Sequence, residues 1–278
     1  MELQRIVVAA DESEASRQGI RTALAWGSAL AAPVTLYHVV SRTPAAALVP
    51  VGGPESKRSC AGDALGALEA WVTAELADQP DRVAPAVETG YGLPGVEIPR
   101  FAERLGAELL VLGRKPRSNA QRMFQGDTAD AVARRSTVPC LFVRKPLLAP
   151  ARMLVAVDGT ERGMTVLEFA RSVAARLNTT LSGVIVERSF AGEAASLATS
   201  VPAARTAALQ RRVNGALRPL LVRRGDAAAE ILQAAEEVGA EVIVIGYRRG
   251  GPPGVIEAGS VARYVSHHAR CAVLTVPL

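Results

Sequence analysis

The sequence predicts an α/β protein made of two tandem domains, each a five-stranded parallel sheet with helices on both faces. Three observations lead there. Ile6 to Ser16 reads IVVAADESEAS and Met153 to Gly163 reads MLVAVDGTERG, so an apolar run of strand length twice stops on an aspartate, Asp11 and Asp158, 147 positions apart. Further on, ERLGAELLVLG (Glu103 to Gly113) matches EEVGAEVIVIG (Glu236 to Gly246). A self-match of this length means two copies of one folding unit, so working residues should recur in pairs or be visibly lost from one copy. Finally, each copy alternates apolar strand-like runs with stretches of helical period, which gives right-handed crossovers and a parallel sheet covered on both sides.

The first copy opens with Ile6 to Ala10, a continuous apolar run suited to a strand buried on both faces. A helix follows over about Ser16 to Leu30, with Ile20, Ala23, Leu24 and Leu30 on one face, until Pro33 breaks it. Val34 to Val40 reads as the second strand, and a loop rich in Pro, Gly and Ala runs from Ser41 to about Ser59. Then come a helix near Asp63 to Leu76, a short strand around Val83 to Glu88 and a helix from about Val96 to Leu105. A strand at Glu108 to Leu112, a Gly/Pro/Arg loop, a helix at Thr128 to Arg135 and a strand at Cys140 to Val143 complete it. Pro146 to Pro150 forms a linker, which sets the domains at 1–145 and 151–278.

The second copy repeats the order. Strands are expected at Met153 to Val157, Thr180 to Val186, Pro219 to Val222, Glu241 to Ile245 and Ala272 to Val276. Helices are expected at Thr165 to Leu177, Ala203 to Leu217, Ala227 to Val238 and Ser260 to His267. Asp11/Asp158 and Val39/Val186 share the offset 147, whereas Gly92/Gly225, Glu97/Glu230, Gly113/Gly246 and Gly126/Gly259 share 133. The difference of 14 residues therefore lies between the second strand and Gly92, mostly in the Pro/Gly loop. Surface loops tolerate such length changes where strand ends do not.

Composition narrows the function. With 49% apolar and 21% charged residues the chain is globular, and at 4% aromatics its cores must be Ala, Val, Leu and Ile. The net charge of +5 is carried almost wholly by arginine, the lysines being Lys57, Lys115 and Lys145. Arginine suits phosphate, although a G+C-rich genome is the favoured explanation, the Ala content fitting it too. No basic tail or basic block with interleaved aromatics points to nucleic acid. Three cysteines, Cys60, Cys140 and Cys271, without CxxC spacing fit a reducing compartment. With no room for a signal peptide before the first strand and no apolar run of about 20 residues, a cytoplasmic protein is expected.

Ligands of such sheets sit beyond the carboxyl ends of the strands. Asp11 and Asp158 end their first strands, Gly113 and Gly246 end the fourth, and Gly126 and Gly259 precede the last helix, whose N–H groups favour an anion. The residue opening that helix differs: Ser260 offers a hydroxyl to a phosphate, whereas Asp127 repels one. Arg114, Lys115, Arg117, Arg248 and Arg249 stand in the adjoining loops, as phosphate partners or as solvated cations. An aspartate after a buried strand is also a common helix cap or turn residue, but its recurrence beside a recurring Val and Gly favours a ligand-facing role. His267 and His268 suit a helix C-terminus better than a metal, and Cys140 and Cys271 read as small core residues. Glu97/Glu230 and Glu103/Glu236 read as solvated helix faces. No Ser/His/Asp order, HExxH or GxxxxGK[ST] pattern is present, so no hydrolytic machinery is expected.

On these residues the chain resembles a tandem universal stress protein over essentially its whole length. Nucleotide-binding members carry G-x2-G-x9-G-[ST] after the fourth strand. Here the first frame is Gly113, Pro116, Gly126, Asp127, Thr128 and the second Gly246, Arg249, Gly259, Ser260, so the spacing holds while the middle glycine is replaced in both. The resemblance implies Rossmann-like domains of the adenine nucleotide alpha-hydrolase-like type. It also implies ATP or another adenine nucleotide, accompanied by Mg2+. By position, Asp11 and Asp158 match the aspartate at the adenine and ribose end, and Val39 and Val186 the backbone contact to adenine. Gly113 and Gly246 match the ribose–phosphate passage. Gly126 with Asp127 and Thr128, and Gly259 with Ser260 and Val261, match the phosphate-holding turn.

The resemblance further implies a stress-response regulator, expected to be without enzymatic activity, and Ser260 in place of Asp127 makes the second copy the better nucleotide site. Its last strands would pair as an intrachain pseudo-dimer, in line with the tendency of an apolar edge to seek a partner, and two chains would form a homodimer. The alternative is a nucleotide-free oligomeric protein-interaction module of the same fold, favoured by Pro116, which has no N–H to donate, and by the side chain of Arg249.

Overall fold

The computed structural model describes residues 3–41, 65–74, 84–114, 128–187, 219–248 and 260–278, with a few further positions between 207 and 217. The chain divides into two compact units, Glu2–Leu148 and Ala149–Leu278. Most of the helix expected at Ala203 to Leu217 and the Ser41 to Ser59 loop lie outside the described residues.

In the first unit the order is β1 (Ile6–Ala9), α1 (Glu14–Leu30), β2 (Val34–Ser41), β3 (Ala86–Gly92), α2 (Pro94–Arg104), β4 (Leu109–Gly113), α3 (Thr128–Arg135) and β5 (Cys140–Val143). Residues 65–74 are also helical. All pairings are parallel, and the strands lie in the order β3-β2-β1-β4-β5. Ile6, Val7 and Val8 of β1 and Leu109 to Leu112 of β4 are buried, which is why these strands read as unbroken apolar runs. At the end of β4, Gly113 faces Ala15 of α1 while Arg114, the next residue, reaches Asp130 of α3. Successive residues of a strand point to opposite faces, so α1 and α3 cover opposite sides.

The second unit repeats this with β6 (Arg152–Ala156), α4 (Glu161–Arg176), β7 (Thr180–Glu187), β8 (Leu220–Arg224), α5 (Ala227–Glu237), β9 (Val242–Tyr247), α6 (Ser260–His268) and β10 (Ala272–Pro277). Its strands are parallel in the order β8-β7-β6-β9-β10. No helix among the described residues is long and apolar enough to cross a membrane.

The second repeated motif has a structural reason. The backbone N–H of Gln4 donates to the Glu108 carboxylate, and Glu108 N donates to Arg5 O at 3.0 Å. In the second unit Glu241 Oε2 accepts from Ala151 N at 2.6 Å and Arg152 N at 3.2 Å, and Glu241 N donates to Arg152 O at 2.9 Å. The glutamate of each GAE sequence thus fastens the entry of the first strand to the fourth.

Boundaries shift where caps overrule apolar pattern. α1 starts at Glu14 and α4 at Glu161, ahead of the expected Ser16 and Thr165. Ser13 and Thr160 are their N-caps, accepting from Ser16 N at 3.2 Å and Gly163 N at 3.0 Å. β3 runs to Gly92 instead of stopping at Glu88. It passes through Gly90 because the phenol of Tyr37, stacked on Phe101 with ring centroids 3.8 Å apart, fills the space a Cβ would take. It ends at Gly92, whose φ of +140° disfavours any side chain. α2 then begins at Pro94, a residue preformed for a first helical turn.

Candidate functional site

In both units the chain runs outward from the central strand in one direction and then returns to its other side. The switch falls between β1 and β4, and between β6 and β9, and opens a crevice beyond their carboxyl ends. Asp11, Gly113 and Val39 come together there in the first unit, as do Asp158, Gly246 and Val186 in the second.

The aspartates build the entry to the following helix. Asp11 Oδ1 accepts from Ser13 N at 2.9 Å; Asp158 Oδ1 accepts from Thr160 N at 3.0 Å and Thr160 Oγ1 at 2.7 Å. Both side chains are exposed, and Oδ2 of each has no partner among the described residues. The copies differ at the next contact. Asp11 N donates to Ser16 Oγ at 2.8 Å, whereas the equivalent of Ser16 is Gly163, and a Cβ there would lie 2.4 Å from Asp158 Oδ1. Asp158 N is left without a partner among the described residues.

The valines contribute backbone. Ala10 N donates to Tyr37 O at 2.9 Å and Val157 N to Val184 O at 3.0 Å, at the ends of β1 and β6. Alternate residues of a parallel strand turn their N–H and C=O toward the same neighbour. Val39 and Val186, two residues further along, therefore direct theirs past the ends of β1 and β6 into the crevice. His38, a half-buried residue that pattern reading passes over inside an apolar strand, places Nδ1 2.7 Å from Ala10 O. Its counterpart is Ile185, so this contact belongs to the first unit alone.

The glycines are not equivalent. A Cβ on Gly113 would stand 1.7 Å from Ala15 O and 2.2 Å from Ala15 C, so the first turn of α1 lies backbone to backbone on the strand end. The three atoms nearest to a Cβ on Gly246 all belong to side chains, Leu278 Cδ1 at 2.7 Å and Leu278 Cγ and Val166 Cγ2 at 3.2 Å.

Arg114 is neither a phosphate-facing nor a solvated loop cation. It is 4% exposed, its Nη2 donates to Asp130 Oδ1 at 2.5 Å, and its guanidinium lies 5.2 Å from the Phe142 ring centre. A cation this deep requires a partner, and Asp130 supplies it. Arg248 is exposed. Glu97 and Glu230 are also corrected: both are part-buried and fold back over Gly92 and Gly225, with φ of +140° and +147°. Glu103 and Glu236 do lie on exposed faces.

Thr128 opens α3 and is exposed, and Val261 is the part-buried second residue of α6. Gly126, Asp127, Gly259, Lys115, Pro116, Arg117 and Arg249 lie outside the described residues, as does the side chain of Ser260. Among the described residues no group of three or more His, Cys, Asp or Glu is gathered to hold a metal ion. His268 Nδ1 lies 2.8 Å from Tyr264 O, and its ring stacks on Tyr264. Cys140 is buried; Cys271 is partly so.

The sequence profile of the universal stress protein family matches residues 2–144 and again residues 151–277. The chain belongs to the universal stress protein family. Two family domains follow one another in this universal stress protein. A universal stress protein of Methanocaldococcus jannaschii is 36% identical to it over 55 residues, which are 20% of this chain and 32% of that relative. The crystal structure of a universal stress protein from Archaeoglobus fulgidus DSM 4304 superposes with a TM-score of 0.74 at 18% identity, covering 99% of this chain and 97% of that one. A functionally unknown protein from Pseudomonas aeruginosa PAO1 gives 0.68 at 16% identity, over 99% and 92%. At these identities it is the fold that is shared.

Proposed function

We propose that this tandem universal stress protein is a stress-response regulator that binds an adenine nucleotide, ATP or a relative of it, at the switch point of its second half. It binds without turning the nucleotide over. One observation carries the reading: three ligand-competent groups converge beyond the ends of β6 and β9. These are the open Oδ2 and N–H of Asp158, the outward backbone of Val186, and a glycine whose nearest neighbours are side chains. An acceptor and a donor at one place suit a ribose hydroxyl, and a free strand backbone suits the edge of a purine. Phosphates would extend toward the start of α6, whose first turn holds no acid. Mg2+ would be held by those phosphates, since the described residues gather no set of their own.

The test is direct. Denaturing the purified chain should release adenine nucleotide near one equivalent, or titration of stripped protein with ATP should give saturable heat. Asp158→Ala should weaken binding about tenfold, the loss of one charge-assisted hydrogen bond. Neither release nor heat would end the nucleotide reading.

A second reading is a nucleotide-free, oligomeric protein-interaction module of the same fold. It is favoured because Oδ1 of each aspartate is already satisfied as a helix-entry turn, which explains their recurrence without any ligand. Light scattering that shows stable oligomers of a nucleotide-free chain would support it.

A further inference from the structure

The two crevices share a plan but not their contents, and the differences run in one direction. Asp11 Oδ2 and the Val39 backbone are as open as their counterparts, but three other features of the first unit are already engaged by the protein. Asp11 N–H is taken by Ser16 Oγ at 2.8 Å. The open side of Gly113 is covered by the Ala15 carbonyl, which is backbone and cannot rotate aside without moving α1. The cation that follows the glycine, Arg114, is buried against Asp130 at 2.5 Å.

The second unit differs at each of these places. Ser16 becomes Gly163, which leaves Asp158 N–H open. Ala15, packed on Gly113, gives way to Val166 and Leu278 side chains near Gly246. Arg114 becomes the buried Tyr247, and Asp130 becomes Arg263, so the acid at the last helix is replaced by a base. The loss of the Ser16 hydroxyl, the change of cover on the glycine and the loss of the Arg114–Asp130 pair are three separate differences.

We infer that the chain binds a single nucleotide, and that the first unit is a non-binding copy in which the Ser16 hydroxyl takes the Asp11 N–H, the Ala15 carbonyl covers Gly113 and Arg114 is held away by Asp130. This rests on the nucleotide reading above and adds to it the stoichiometry and the state of the first unit. The first unit then serves as scaffold. Asp11 N–H has its own intrachain acceptor, whereas Asp158 N–H has none among the described residues.

Calorimetric titration of the full chain with ATP should give one site. Photolabelling with 8-azido-ATP followed by peptide mapping should place the label within residues 149–278. Asp158→Asn retains the acceptor that Thr160 uses but replaces Oδ2 by a donor; it should weaken the site about tenfold while circular dichroism and thermal midpoint stay close to the parent. Two sites per chain, or label on peptides from residues 3–41 or 84–114, would overturn the inference and leave the nucleotide reading standing. No binding at all would overturn both.

Discussion

Cys140 opens β5 with its thiol wholly enclosed, 3.3 Å from the Val138 carbonyl. Burial pushes its pKa up from 9.0 to about 12, the Ser136 contact pulling weakly the other way. The folded chain therefore holds the thiol proton across a range in which the unfolded chain releases it. The stabilisation is complete below pH 9 and is lost as pH rises from 9 toward 12. Burial raises the pKa of Tyr37 as well, so its contribution has the same sign. At pH 10, one unit above the free thiol value, Cys140 alone should cost about 1.4 kcal/mol. Melting the parent and Cys140→Ala between pH 8 and 10 checks this: the variant starts lower, from lost packing, but should fall less steeply. The two cleft glycines give a second contrast. Gly113→Ala drives a Cβ into the backbone of Ala15 and should destabilise by about 3 kcal/mol. Gly246→Ala meets side chains at its three nearest atoms and should cost under about 1 kcal/mol. Comparable losses in thermal denaturation would show that α1 yields as readily as Leu278 does.

α1 does more than cover one face of its sheet. Its N-terminal turn lies on Gly113, while two turns on, Thr22 Oγ1 accepts from Leu147 N at 3.0 Å and donates to Gln18 O at 2.9 Å. Trp26 Nε1 donates to Leu147 O at 3.0 Å. Both backbone groups of a residue beyond β5 are thus held by side chains that are themselves buried. Thr22→Val keeps the volume but leaves the part-buried N–H of Leu147 unpaired, a loss of about 1 kcal/mol. It should also quicken proteolysis after Leu148, and an unchanged digestion rate would show that water replaces the hydroxyl. Such contacts mark the limit of sequence reading. The strands were legible because β1, β4, β6 and β9 are buried on both faces and spell their burial as apolar runs. Helix starts were misplaced because Ser13 and Thr160 fix them through caps, while the apolar faces begin later. β3 was placed too early because Gly90 reads as a breaker, and only Tyr37, fifty positions away, makes it a strand residue. Arg114 was misread for a related reason: its partner Asp130 lies across a loop, and spacing does not reveal which side of a strand a residue faces. The aspartates, valines and glycines at the strand ends stand out in the sequence because duplication gives each an internal counterpart.

Duplication lets one copy change while the other keeps the work, and here the changes have a thermodynamic consequence. A ligand bound only by the folded second unit stabilises that unit by linkage, about 2.7 kcal/mol at a concentration of 100 Kd. This is close to a hundredfold in an opening equilibrium. Amides in the core of β9, Val242 to Ile245, exchange only when that core opens, so ATP should slow their hydrogen exchange about a hundredfold. Amides of Leu109 to Leu112 in β4 report the first unit and should slow far less, because it is the non-binding copy. Asp158→Asn should cut the gain at β9 by about tenfold and leave β4 where it was. Slowing confined to β4 would place the ligand in the wrong half. Equal slowing in both cores would mean that the two units open together, and ligand bound in one would then steady the entire chain.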